Sequence, residues 1–133
     1  MRHRVGGRKL NRTYSHLQAM LRNLATSLFD KGRIVTTDGR AKECRPFAEK
    51  LITLARKGGL ANYRRALALL KDETVTRRLF HEIAPLYRER SGGYTRILRL
   101  STLRLGDRAQ KVIFELVVPT PEGKAEPAKK SSE

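Results

Sequence analysis

Hydrophobic positions along this chain follow two different periods. Leu17, Met20, Leu21, Leu24, Ala25 and Leu28 recur at helical spacing, with Arg22, Asn23 and Ser27 on the other side. The spacing predicts an amphipathic helix that begins near Thr13 or Ser15, either able to serve as N-cap, and closes at Gly32. Arg33-Ile34-Val35-Thr36-Thr37 is short, β-branched and ended by Asp38-Gly39, the marks of a strand. Asp38 should cap a second helix, with Cys44, Phe47, Ala48, Leu51, Ile52 and Ala55 on one face. Pro46 lies inside that pattern and is expected to kink the helix or split off its first turn. Lys57-Gly58-Gly59 ends it, and Leu60 to Lys71 reads as a third helix. Thr74 is expected to cap a fourth, which holds Val75, Leu79 and Ile83 and stops at Pro85.

After a polar loop from Leu86 to Gly93 the period becomes two. Tyr94, Arg96, Leu98 and Leu100 alternate with Thr95, Ile97 and Arg99, and Lys111 to Val118 forms a second apolar strand. A basic loop, Thr102 to Arg108, joins them. Beyond Val118 the chain is Pro, Glu, Lys, Ala and Ser with no apolar stripe, the composition of a disordered tail. The predicted organisation is an arm (1–14), a domain (15–118) and a tail (119–133). The order of elements is helix, strand, three helices and two strands. Runs of this kind indicate a two-layer α+β fold, with helices packed on a small mixed sheet.

Charge changes the picture of the arm. The chain of 133 residues carries 29 Lys and Arg against 13 Asp and Glu, a net charge of +16. Such an imbalance calls for a polyanionic partner, and Arg, 19 of the 29, offers a planar fork suited to phosphate. The first acid in the sequence is Asp30, so MRHRVGGRKLNRTYSH presents its cations without competition. Gly6-Gly7 would let such an arm follow an irregular phosphate surface, and released counterions would offset the cost of ordering it. A merely solvated terminus is the plainer reading. Arg33, Thr36 and Thr37 lead into a helix start, where free backbone N–H groups can hold phosphate. Gly92-Gly93-Tyr94-Thr95-Arg96 combines close backbone approach, an aromatic ring and a cation, as RNA-binding surfaces do, although Tyr94 could equally pack on the domain. Arg64-Arg65, Arg77-Arg78, Arg88 and Arg90 read equally well as solvated faces.

Other chemistries find little support. No apolar run reaches the ~20 residues of a membrane span, and no basic amphipathic helix with an aromatic face stands out. The basic start is followed by no apolar stretch, and Gly6-Gly7 breaks the helix that a mitochondrial presequence would form. Cys44 is the only cysteine, on an apolar helix face, and reads as a small core residue in a reducing compartment. His81-Glu82 opens like a zinc-protease motif, but Pro85 stands where its second His belongs. No catalytic residue, metal or cofactor is expected. Two binding readings remain, RNA and duplex DNA, and no helix-turn-helix or dimerising heptad favours the second.

Six segments in order also resemble a known family. MRH at the start, GRKLNR at 7–12, GRI-x-TT at 32–37, AKE at 41–43, LITLA at 51–55 and IAPLYRERSGGYTRI at 83–97 are similar to the bacterial large-subunit ribosomal protein seventeen family. The resemblance covers Met1 to about Val118. It implies a cytoplasmic, non-catalytic constituent of the large ribosomal subunit that binds 23S rRNA, beside neighbouring ribosomal proteins near the exit-tunnel side. Matching positions give the arm candidates Arg2, His3, Arg4, Arg8, Lys9, Asn11 and Arg12, and the domain candidates Thr36, Thr37, Lys42 and Gly92 to Arg96. His16, Arg22, Arg33 and Arg99 complete the expected RNA contacts, and within the glycine motif Gly93, Tyr94, Thr95 and Arg96 are the ones singled out. Leu17 stands where the family pattern has a basic residue, and Gly39-Arg40 where it has Pro-Lys.

Overall fold

The structure is a computed structural model and describes residues 3–117. Arg2, Val118 and the tail expected over 119–133 lie outside the described residues.

Helix α1 (Tyr14–Lys31) starts where the apolar period begins. Thr13 holds the N-cap position without a side-chain capping bond. Gly32, at φ 77°, closes the helix by donating its N–H to the Leu28 carbonyl, a left-handed turn that glycine makes without a Cβ penalty. Strand β1 (Arg33–Thr37) follows directly and leads into α2 (Asp38–Lys57). Thr37 rather than Asp38 is the N-cap of α2. Asp38 is its first helical residue, where its carboxylate suits the helix dipole and accepts from Lys42 Nζ at 2.7 Å.

Helix α2 runs through Pro46 as one element instead of losing its first turn. Pro46 is on the exposed side, where the carbonyl it leaves unbonded can reach water. Ala41, Cys44 and Ala48 around it are fully buried, so packing holds the helix on both sides. Helix α3 (Leu60–Leu70) ends one residue before the expected boundary, because Lys71 adopts the left-handed cap conformation at φ 57°.

The fourth helical segment departs most from expectation. Helix α4 (Glu73–Arg78) is capped by Asp72, not Thr74: the Asp72 carboxylate accepts the Val75 N–H at 3.0 Å. The chain then widens into a π turn, Leu79–Ile83, and tightens into a 3₁₀ turn, Ala84–Tyr87. Pro85 therefore does not end the helical path. It falls in the first turn of the new segment, where a missing N–H costs little. Leu79, Ile83 and Tyr87 are all buried at a spacing of four. An unmodified α-helix would let that spacing drift by about 40° per step, and the wide turn takes up the difference.

Strand β2 (Thr95–Leu103) extends past Thr102, and β3 (Gln110–Leu116) starts one residue earlier than the pattern suggests. The sheet order is β1-β3-β2, and both pairings are antiparallel, so the expected mixed sheet is corrected to an antiparallel one within the α+β class. The helices cover one face of it. There Ile34, Phe114 and Ile97 lie side by side in register, with Phe114 and Val112 fully buried. The open face carries two rows across the strands, Arg33–Glu115–Arg96 and Val35–Ile113–Leu98. Phe29 and Leu28 of α1 meet Leu51 and Ile52 of α2 and the strand side chains in one core.

Candidate nucleic-acid interface

The basic arm is held against the domain. Gly7, at φ 94°, brings Arg8 to the side of α2, where the Arg8 N–H donates to Glu43 Oε2 at 2.9 Å. A turn follows, in which the Arg12 N–H donates to the Lys9 carbonyl at 3.1 Å and Leu10 and Asn11 take left-handed backbone. Leu10 lies against Gly39, where a methyl group would come within 3.4 Å of Leu10 Cδ2. Arg12 is half-buried, and its Nη1 donates to the Leu10 carbonyl at 3.0 Å. Its Nε is buried and makes no hydrogen bond among the described residues. His3, Arg4, Arg8, Lys9 and Asn11 stay exposed along this path.

From Arg12 a shallow concave band continues over the domain. Its first hollow is lined by Arg12, His16, Asn23, Ser27 and Arg40, between α1 and the start of α2. The second, beside β1, shares Leu24 and Ser27 with it and adds Lys31, Arg33 and Val35. The third shares Val35 and Arg40 with its neighbours and adds Thr36, Thr37, Arg104 and Lys111. No Asp or Glu lines any of the three hollows. Arg33 and Arg104 are paired with Glu115 and Asp107 behind the lining, and the excess of cations along the concave strip favours a positive potential, while Asn, Ser and Thr supply hydrogen-bonding groups between them.

The band thus joins Arg12, His16, Arg33, Thr36 and Thr37 from the expected set. Sequence reasoning did not single out Lys31, Arg40, Asn23, Ser27, Arg104 or Lys111. Lys111 stands opposite Thr37 in the β1–β3 register, a pairing that becomes visible only once the strands are aligned. The basic character of the loop holding Arg104 was the one available signal.

The remaining candidates lie elsewhere or have other duties. Arg22 Nε donates to the Leu69 carbonyl at 2.9 Å and ties α1 to α3. Lys42 pairs with Asp38. The stacking surface expected of Tyr94 does not form: the ring is 1% exposed and packs edge-on against Tyr87, centroids 5.2 Å apart. Its hydroxyl accepts from Arg56 Nη1 at 2.7 Å. Thr95 is buried too, and its hydroxyl donates to Glu49 at 2.9 Å. Gly93 is exposed at φ 62°, and Arg99 is exposed on β2. Arg96 shares the Glu115 carboxylate with Arg33. Arg96 therefore adjoins the band at Arg33, although neither Arg96 nor Arg99 lines any of the three hollows.

The groups that first suggested enzymatic chemistry have ordinary surroundings. Cys44 is fully buried, its thiol lies 3.8 Å from the Leu21 carbonyl, and burial pushes its pKa up to about 12. His81 borders a hollow of mixed charge with Asp30, Arg77, Arg78 and Glu82. No group of three or more His, Cys, Asp or Glu among the described residues could hold a metal ion, and no described helix is long and apolar enough to cross a membrane.

A small, net-basic α+β domain with a concave band whose lining holds cations and no acid, reached by a basic arm, presents a surface suited to a polyanion. Comparison with known proteins gives that class a family. The model of the ribosomal protein L17 family matches residues 20–117, and the chain belongs to that family. The large ribosomal subunit protein bL17 of Trichlorobacter lovleyi is 52% identical over 117 residues, covering 88% of this chain and 94% of its own. Its counterpart in Alkaliphilus metalliredigens is 56% identical over 83% of this chain and 96% of its own. That of Geobacter metallireducens is 50% identical over 97% of this chain and 74% of its own, so the similarity takes in the arm.

Proposed function

We propose that this protein is a non-catalytic constituent of the bacterial large ribosomal subunit that binds 23S rRNA through its arm and the band beginning at Arg12. The observation that carries the reading is the continuity of the two. The exposed arm cations lead, past the Glu43 carboxylate that holds the Arg8 amide, into hollows lined by Arg12, Arg40, Lys31 and Lys111 and by no acid. Phosphate oxygens would take the guanidinium and ammonium donors, and Asn23, Ser27, Thr36 and Thr37 would fix register through sugar and base edges. Neighbouring large-subunit proteins, toward the exit-tunnel side, complete the proposed set of partners.

Binding of the full chain to 23S rRNA fragments and to duplex DNA, measured over a salt series, tests this directly. The expected result is preference for folded rRNA with a steep salt dependence. Equal affinity for both nucleic acids at every salt concentration would turn the assignment toward a nucleoid protein. The protein should also sediment with large subunits through a moderate-salt wash.

A further inference from the structure

We infer that Glu43 is a positioning residue: it fixes the arm in its RNA-binding path by accepting the Arg8 amide, although its own charge opposes RNA. The inference rests on the reading of the arm and band as an rRNA surface. Two observations converge on this carboxylate, and a third seats the arm beside it. Oε2 accepts the Arg8 N–H at 2.9 Å across 35 residues of sequence. Oε1 stands 3.2 Å from where a Cβ on Gly7 would be, and Gly7 needs its left-handed φ of 94° to bring Arg8 there. One helical turn back toward the N-terminus of α2, Gly39 receives Leu10, so the arm is seated at two points on the same helix.

What lies between and beyond those points is the turn that aims Arg12. Lys9 and Arg12 close it through a backbone bond, and Arg12 then opens the first hollow of the band beside His16 and Arg40. A chain ordered before binding loses less conformational entropy on binding, which raises affinity without any new interaction with the ligand. An acid placed beside a polyanion site lowers affinity by repulsion. The two effects have opposite signs, so removal of the carboxylate distinguishes them.

The comparison is between Glu43→Ala, which removes the acceptor, and Glu43→Gln, which removes the charge and keeps an acceptor oxygen. Gly7→Ala disturbs the same hydrogen bond from the arm side and changes no charge. Affinity of the full chain for a 23S rRNA fragment over a salt series is one readout. The rate at which trypsin cleaves the free protein after Arg8 and Lys9 is the other. Glu43→Ala and Gly7→Ala should each weaken binding by about threefold to tenfold, the worth of one exposed hydrogen bond and the order it imposes. Both should speed cleavage by a similar factor, with the salt slope unchanged. Glu43→Gln should stay near wild type in cleavage and bind as well or slightly better. Tighter binding by Glu43→Ala, or unchanged cleavage in both Glu43→Ala and Gly7→Ala, would overturn the inference. If the wild-type chain itself showed no salt-steep RNA binding, the proposed function would fall, and the cleavage rates would still decide whether Glu43 holds the arm.

Discussion

Arg33 donates from Nε to Glu115 Oε2 at 2.8 Å across the β1–β3 pairing, and Glu115 is 5% exposed although it lies on the open face of the sheet. Arg96, from the strand on the other side, takes the second carboxylate oxygen. One acid in the central strand thereby ties together both outer strands. Burial pushes the Glu115 carboxyl pKa up, but the bonds from Arg33 and Arg96 outweigh it and hold the value below the ordinary 4.5. The stability this confers is fully present above the ordinary carboxyl value and is lost as pH falls through the lowered folded-state value.

Replacement of that acid should therefore act on stability. Glu115→Gln is expected to cost about 1–2 kcal/mol at neutral pH, the lower range for a charged hydrogen bond because both guanidinium groups face solvent. Denaturant midpoints measured from pH 7 down to pH 3 check it. The wild type should lose part of its advantage over the variant toward the acid end, and a constant difference would assign the effect to shape alone.

The cation band gives a second expectation. Arg40→Ala, Lys31→Ala and Lys111→Ala should each flatten the logarithmic salt slope of rRNA binding by roughly 0.7–0.9 for every phosphate left without its cation. Arg77→Ala is the control, since Arg77 sits 2.8 Å from Glu73 in the mixed-charge region. Its slope should match that of the wild type.

Tyr94 separates packing from stacking. Tyr94→Phe keeps the ring and loses only the bond from Arg56, so it should cost about 0.5–1.5 kcal/mol of stability and leave rRNA affinity unchanged. An affinity loss in a fully folded variant would mean that the ring turns outward in the complex.

Cys44 offers a test of the core. With its thiol pKa raised from 9.0 to about 12 by burial, the protonated form is favoured in the folded protein up to that range. The stabilisation is complete below the ordinary thiol value and is lost as pH rises through about 12. At pH 8 a thiol reagent should label Cys44 only in denaturant or at the rate of unfolding, and immediate labelling would show that α2 opens readily from the core.

The helical and alternating periods were enough to place the helices, the three strands and the α+β class, because burial of one face is written directly into spacing. Segments whose structure depends on a neighbour were harder to read. Pro85 reads as a stop until Leu79, Ile83 and Tyr87 are seen sharing one core, and Pro46 reads as a break until both flanks of α2 are seen buried. At the candidate site, the arm cations were plain because no acid accompanies them. Arg40, Lys31 and Lys111 were not, since they come from α2, α1 and β3 and line one band only once those elements are packed around β1. Tyr94 stayed open for the opposite reason: an aromatic beside glycines and an arginine reads equally as a ligand platform or a packed ring, and only the contact with Tyr87 and the bond from Arg56 show where it is spent.

The sheet order also sets a schedule for making the protein. Strand β3 is the last described element in the chain and the middle of the sheet, and it joins Arg33 to a residue 82 positions later. Neither β1 nor β2 has a partner until β3 has been synthesised. Throughout that interval β1 is an unpaired β-branched segment beside a cationic surface, dependent on its helices alone. Completion of the sheet is a late, long-range event with the slow closure such separations bring. RNA that reached α1 and the arm before then would meet a binding surface still missing Lys111 and Arg104, and the full band would form only when the final strand slots in.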